Sequence, residues 1–182
     1  VEARRGNIPV VHMANSGAII GQSLGPTTMV RAGIMSYGYN PNPVMGSLGL
    51  RPALSWTSHI SFLKQVDPGQ TVGYGRTWTA QHSTTIATVP VGYADGYSRR
   101  LSNRGHVLIG GEFRPVVGRV CMDQLMVDLG PSSTARVGDD VVLLGEQGGH
   151  TITADDLAEL LDTISYEITC DIGKRVDRRW VS

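Results

Sequence analysis

Cysteine is almost absent from this 182-residue chain, which has only Cys121 and Cys170. Their separation fits no thiolate metal motif, and two are too few for a disulfide framework, so the expectation is reduced thiols in a cytosolic chain. Net charge is absent too, because 16 basic residues cancel 16 acidic ones. No Lys/Arg cluster exceeds a pair, so the electrostatic footprint of a nucleic-acid binder is missing and a small molecule or another protein is the expected partner. No apolar run approaches the length of a bilayer-spanning helix, and no charged-then-apolar leader opens the chain. A cytoplasmic protein that does not enter the membrane is therefore expected. The five histidines, His12, His59, His82, His106 and His150, show no ligand spacing, and no metal site is expected. An initiator methionine is missing as well, and the opening "VEARRGNIPVVHMANSG" reads as a cut.

What is present suffices for a core, with 41% hydrophobic and 18% charged residues. "IPVVHMANS" and "TTMVRAGIMSYG", within residues 8–20 and 27–38, are apolar runs that end in small polar residues or glycine, as buried parallel strands feeding loops do. From about Pro52 the pattern becomes alternating and β-branched, in "ALSWTSHISFLKQV", "STTIATVPVGY", "HVLIGGEFRPVVGRV", "QLMVDLG" and "DDVVLLGEQ". These stretches predict an antiparallel β-domain. Gly110-Gly111 signals a two-residue hairpin, and "QTVGYGRTWTA" at 70–80 also reads as a hairpin. One helix is expected near the end, with Thr153 and Asp156 as its capping box and Leu157, Leu160, Leu161 and Ile164 on its apolar face. The Pro/Gly-rich "PNPVMGSLGLRP" at 41–52 predicts a linker.

The candidates for chemistry are polar groups at strand ends. Asn15, Ser16 and Gly17 follow one apolar run, and Arg31 and Gly33 follow another, where parallel α/β folds place ligand sites. Backbone N–H groups beside Ser and Gly suit a phosphate, but a strand-to-helix turn with a capping Ser explains the same residues. Arg31, beside buried residues, needs a partner, because an unpaired buried charge is costly. In "GRVCMDQLMVDL" the plain reading is a core strand with Met122 filling a gap, Asp123 in a turn and Cys121 as a small hydrophobe. The Val-Gly-Tyr triplets around Tyr74 and Tyr93 are, singly, more often packing than catalysis.

Taken in order, "HMANS", "VRAGIMSYG", "VGYGRTW", "VGYADGYSRR", "GRVCMDQLMVDL" and "ISYEITCDIGKRVDRRW" resemble the last part of bacterial alanine racemases, through essentially the whole chain. The resemblance implies a mainly β chain. Residues 1–45 would be the end of a (β/α)8 barrel that binds pyridoxal 5'-phosphate, and residues 46–182 the C-terminal β-domain that closes the site of the partner subunit in a homodimer. It implies an isomerase that interconverts L- and D-alanine for the bacterial cell wall. The family's cofactor lysine has no counterpart here, because Lys64 and Lys174 are the only lysines and neither sits in its context. The chain by itself is therefore expected to be inactive. A racemase for serine or a broader amino-acid set, and a β-domain that only docks, are the alternatives.

By the same resemblance Tyr74, in its Tyr-Gly-x-Thr context, is the acid–base group, although Gly73 stands where the family more often has serine. Racemisation removes a proton from one face of Cα and returns one to the other, which two groups on opposite faces do most simply. A phenol needs nearby positive charge or hydrogen bonds to act as a base. Tyr93 resembles the tyrosine that narrows the substrate entrance. Met122 matches the residue whose backbone meets the substrate carboxylate. Ser16, Gly33, Ile34 and Tyr166 match phosphate-binding positions. Arg31 matches the arginine that points at the cofactor's ring nitrogen, with His12 in support. Arg99, Arg119, Asp123, Ile164 and Arg178 fall at motif positions near or supporting the entrance, without a catalytic role.

Overall fold

The structure, a computed structural model, describes residues 8–42, 46 and 48–181. It divides into two compact units, Val1–Leu54 and Ser55–Ser182. Part of the predicted linker at 41–52 and the expected domain boundary at 45/46 lie outside the described residues, as does the opening heptapeptide.

In the first unit, helix α1 (Ser16–Gly21) and a 3-10 turn (Ile34–Tyr37) are the regular elements among the described residues. The two buried strands expected here are not formed. Thr28 N–H donates to Val11 O (2.9 Å) and Arg31 N–H to Ala14 O (2.8 Å), a parallel sense of pairing. Ile8, Val10, Met13, Met29 and Val30 are nevertheless exposed. Parallel strands are buried only where both faces are covered and neighbours flank them, and one short helix covers little of this pair.

The second unit is mainly β. Its strands are β1 (Trp56–His59), β2 (Phe62–Val66), β3 (Thr71–Val72), β4 (Trp78–Thr79), β5 (Thr84–Val89), β6 (His106–Ile109), β7 (Glu112–Val117), β8 (Leu125–Asp128), β9 (Asp140–Gln147) and β10 (His150–Ile152). The large sheet runs β1-β9-β6-β7-β8-β5-β2 with β10 on β9, and β3 pairs with β4. All pairs are antiparallel. Each of the five alternating stretches contains a strand. Val141 to Leu144 are buried in succession, so β9 is covered on both faces and its sequence does not alternate. Gly110 and Gly111 both take positive φ (63° and 79°) and join Ile109 to Glu112, as a primed two-residue turn requires.

Helix α2 (Ala154–Leu161) begins with the predicted Thr153/Asp156 capping box. It ends earlier than its apolar pattern implied. Asp162 turns left-handed (φ 57°), and Thr163 N–H donates back to Ala158 O at 3.0 Å, which closes the helix before Ile164. Ile164, expected on the apolar face, is 57% exposed and precedes a second helix, α3 (Ser165–Asp171). Among the described residues no helix is long and apolar enough to cross a membrane.

Tyr97 is buried in the β-domain, 1% exposed and edge-on to Trp56. Its hydroxyl has no partner among the described residues, and burial raises its pKa above the ordinary phenol value. The folded-state value lies above the unfolded one, so the associated stability is complete below the unfolded pKa of ~10 and is lost as pH rises beyond it. Tyr97→Phe removes an unsatisfied polar atom and keeps the ring. It is expected to leave stability at pH 7 unchanged or raised by up to about 1 kcal/mol, and to reduce the alkaline loss. Urea denaturation at pH 7 and above pH 10 measures both, and a loss above about 1 kcal/mol at pH 7 would show a missed hydroxyl partner.

Candidate active site

Tyr74 stands in the turn between β3 and β4, so the predicted hairpin is present with the phenol at its tip. The turn is a short 3-10 segment, Tyr74–Arg76, between Gly73 (φ 77°, ψ 178°) and Gly75 (φ 74°, ψ 3°). The Gly73 conformation is essentially restricted to glycine. A Cβ there would also lie 3.1 Å from Arg119 N, so a serine at this position requires a different local backbone. Glycine lets the turn lie against the segment that carries Arg119, and Tyr74 is left 76% exposed.

An open groove of about 510 Å³ is lined by Tyr74, Tyr93, Arg99, Arg119, Met122 and Asp123, together with Val120, Cys121 and Gln124. Six residues singled out from three separate motifs thus share one surface. A second groove, of about 560 Å³, lies beside it over β2 and β5 and contains none of them. We favour the smaller as the site because of its chemistry. Met122 lies in a bend and is 54% exposed, so the plain reading of it as a core gap filler fails.

The two walls are pinned together through backbone. Tyr93 N–H donates to Cys121 O (3.0 Å) and Ala94 N–H to Met122 O (3.0 Å). Gly92 N–H donates to Asp95 Oδ2 (2.8 Å), and buried Asp95 accepts from Arg175 Nε through Oδ1 (2.6 Å). Arg175 also pairs with Asp123 on the groove wall. The hydrogen bond to Asp95, then that to Asp123, raises the Arg175 pKa above the ordinary arginine value. Arg175 is shared between Asp95 and Asp123, so together with Arg99 and Arg119 three guanidiniums face two carboxylates, and the excess positive charge suits a carboxylate ligand. Burial raises the Cys121 pKa, against a lowering by the Arg99 charge, so this residue is a thiol rather than a thiolate nucleophile. Arg175 was missed in the sequence because nothing in "GKRVDRRW" marks which arginine meets which carboxylate.

Ile164, Tyr166 and Arg178 do not line the groove. Ile164 caps α3 and Tyr166 lies exposed in its first turn. Arg178 donates to Ile172 O (2.9 Å) and Val176 O (2.8 Å), closing the chain behind α3.

In the first unit, Asn15 rather than Ser16 caps α1, accepting from Ala18 N–H at 3.1 Å. Ser16 is 3% exposed, and its Oγ has no partner among the described residues. A Cβ on Gly33 would stand 3.7 Å from that Oγ, and Ile34 is buried beside it in sequence. A buried hydroxyl without a partner is costly, and a phosphate oxygen would satisfy it, so these residues fit a phosphate-bearing cofactor. Arg31 is exposed, not buried as its apolar surroundings suggested, and Nη2 donates to Met13 O (3.3 Å). No hydrogen bond joins it to His12 among the described residues, and His12 is exposed.

Two family descriptions match: "Alanine racemase, C-terminal domain" over residues 53–180 and "Alanine racemase, N-terminal domain" over residues 1–41. The alanine racemase of Cutibacterium acnes is 66% identical over 181 residues, covering 100% of this chain and 48% of that protein. The crystal structure of alanine racemase from D-cycloserine-producing Streptomyces lavendulae superposes with a TM-score of 0.89 at 41% identity, over 95% of this chain and 46% of that one. The Bacillus anthracis alanine racemase with bound L-Ala-P gives 0.86 at 40% identity, over 92% of this chain and 43% of that one. This chain spans about half the length of the relatives it matches. The match of the C-terminal domain over most of the residues, with the end of the N-terminal domain before it, shows that the chain belongs to the alanine racemase family.

Proposed function

We propose that this chain is the C-terminal portion of a pyridoxal-phosphate-dependent racemase that interconverts L- and D-alanine, with residues 1–45 ending the cofactor-binding barrel and residues 46–182 forming the β-domain. The observation that carries the proposal is the exposed Tyr74 phenol, held on a glycine-flanked turn in a groove with Arg99 and Arg119. When bound, pyridoxal phosphate supplies an electron sink that makes the Cα proton acidic enough to move. Ser16, Gly33 and Ile34 would hold its phosphate, and Arg31 would serve the ring nitrogen; Tyr166 is assigned to the phosphate by the family resemblance alone. A guanidinium does not give up its proton, so Arg31 would leave that nitrogen unprotonated and disfavour side reactions such as transamination.

Tyr74 takes or returns the Cα proton on one face. The opposite face requires the family's lysine, which neither Lys64 nor Lys174 replaces; both are exposed. The Met122 backbone orients the substrate carboxylate, and the positive groove draws it in. Tyr93 narrows the opening. The active assembly is a homodimer in which the β-domain completes the partner's site, and its product serves cell-wall synthesis.

A protein that joins this chain to the rest of the family's barrel is expected to racemise alanine with kcat/KM at least about tenfold above that for serine, the scale a small-pocket discrimination reaches. The 182 residues alone are expected to give no D-alanine and no borohydride-trapped cofactor adduct. Serine turnover equal to that of alanine would favour a broad-specificity racemase. D-alanine formed by the isolated chain, free of host racemase, would refute the two-group reading.

A further inference from the structure

Asn103 stands opposite the Tyr74 turn in left-handed backbone (φ 58°), a conformation asparagine tolerates better than most residues. Its side chain joins two separate segments. Gly118 N–H donates to Oδ1 at 2.6 Å, while Nδ2 donates to Thr77 Oγ1 at 3.1 Å and to Thr77 O at 3.4 Å. A backbone N–H can only donate, so Oδ1 must face Gly118 and Nδ2 must face Thr77. Thr77 directly follows the 3-10 turn that carries Tyr74, and Gly118 directly precedes Arg119. The neighbouring Ser102 acts alongside, its Oγ accepting from Val120 N–H at 3.0 Å and donating to Arg99 O at 2.5 Å. The two segments lie so close that a Cβ on Gly118 would come within 2.7 Å of Val72 O.

We infer that Asn103 is a positioning residue that sets the placement of the Tyr74 hydroxyl relative to the Arg119–Met122 wall of the groove. The inference rests on Tyr74 as the acid–base group. β3 and β4 are two residues each, so their ladder alone gives the turn little rigidity. The amide of Asn103 supplies a tie from the foot of that turn to the opposite wall. Proton transfer is sensitive to displacements of about 1 Å, which makes such a tie kinetically visible.

The test uses the protein with its complete barrel and compares Asn103→Gly, which keeps the left-handed backbone without strain, with Thr77→Val and Thr77→Ser. Asn103→Gly is expected to lower kcat by about 10- to 100-fold with KM within about threefold, because a group that acts only in the transition state is displaced. The Cα-deuterium isotope effect on L-alanine should rise above that on D-alanine, whereas a mere loss of folded protein would lower kcat and leave both isotope effects alone. Thr77→Val should fall in the same direction and Thr77→Ser should remain near the parent, since it keeps the hydroxyl. If Asn103→Gly does not fold, Thr77→Val decides. Unchanged kcat and equal isotope effects in the folded variants, beside a damaged Tyr74→Phe, would overturn the role of Asn103 alone. An undamaged Tyr74→Phe would overturn the acid–base reading, and this inference with it.

Discussion

Tyr74→Phe, in a protein that carries the complete barrel, is expected to lower turnover by about 100- to 10,000-fold, the usual contribution of a positioned acid–base group. Both directions should slow, because every turnover in a two-group racemase uses both faces. The ring is retained and its hydroxyl lies at an exposed turn, so stability should change by less than about 0.5 kcal/mol. The isotope effects carry the sharper information. With Cα-deuterated L- and D-alanine they should become unequal, the larger new effect falling on the enantiomer whose proton Tyr74 takes, which the family resemblance gives as L-alanine. Tyr93→Phe serves as the control on the same groove. It should raise KM more than it lowers kcat, as expected of a residue that shapes access. Abolished turnover in Tyr93→Phe with Tyr74→Phe untouched would mean that the wrong Val-Gly-Tyr had been assigned.

Gly92→Ala is expected to destabilise the β-domain by about 3 kcal/mol or more, above the range typical of simple overpacking. A Cβ there would meet Cys121 O and Met122 O, both at 2.3 Å. These are the backbone atoms that accept from Tyr93 and Ala94, so they cannot retreat without breaking the bonds that hold the groove walls together. At about 2 to 4 °C per kcal/mol for a chain of this size, the thermal midpoint should fall by about 6 to 12 °C. KM should rise with it, since Tyr93 and Met122 move apart. A thermal midpoint within about 1 °C of the parent would show that the two walls can separate freely despite their close approach.

The capping box at Thr153, the Gly110-Gly111 hairpin and the β-branched runs of β5 and β7 depend on residues a few positions apart, so they were legible from local pattern. Where such local signals failed, tertiary closure had intervened. The apolar spacing carried α2 on to Ile164, but the left-handed Asp162 ended it three residues earlier at Leu161. The apolar runs "IPVVHM" and "TTMVRAG" read as buried strands, yet burial requires covering layers that a short segment's own sequence does not supply. Motif resemblance marked Tyr74, Tyr93, Arg99, Arg119, Met122 and Asp123 one by one.

Their gathering around one groove could not be read from the chain, since residues up to 49 positions apart (74 to 123) meet there through pairings of strands distant in sequence. The same holds for the groups that brace them. Arg175 reaches Asp95 across 80 residues and Asp123 across 52, and Asn103 reaches Thr77 across 26. The sequence by itself determined the mainly β class, the caps and turns, and the residue types able to do the chemistry, because these follow from dihedral preference and side-chain identity. Only the tertiary structure decided which arginine pairs with Asp123, which amide holds the Tyr74 turn, and why Gly92 admits no side chain, because hydrogen bonds and steric exclusion act over a few ångströms of space and are blind to distance along the chain.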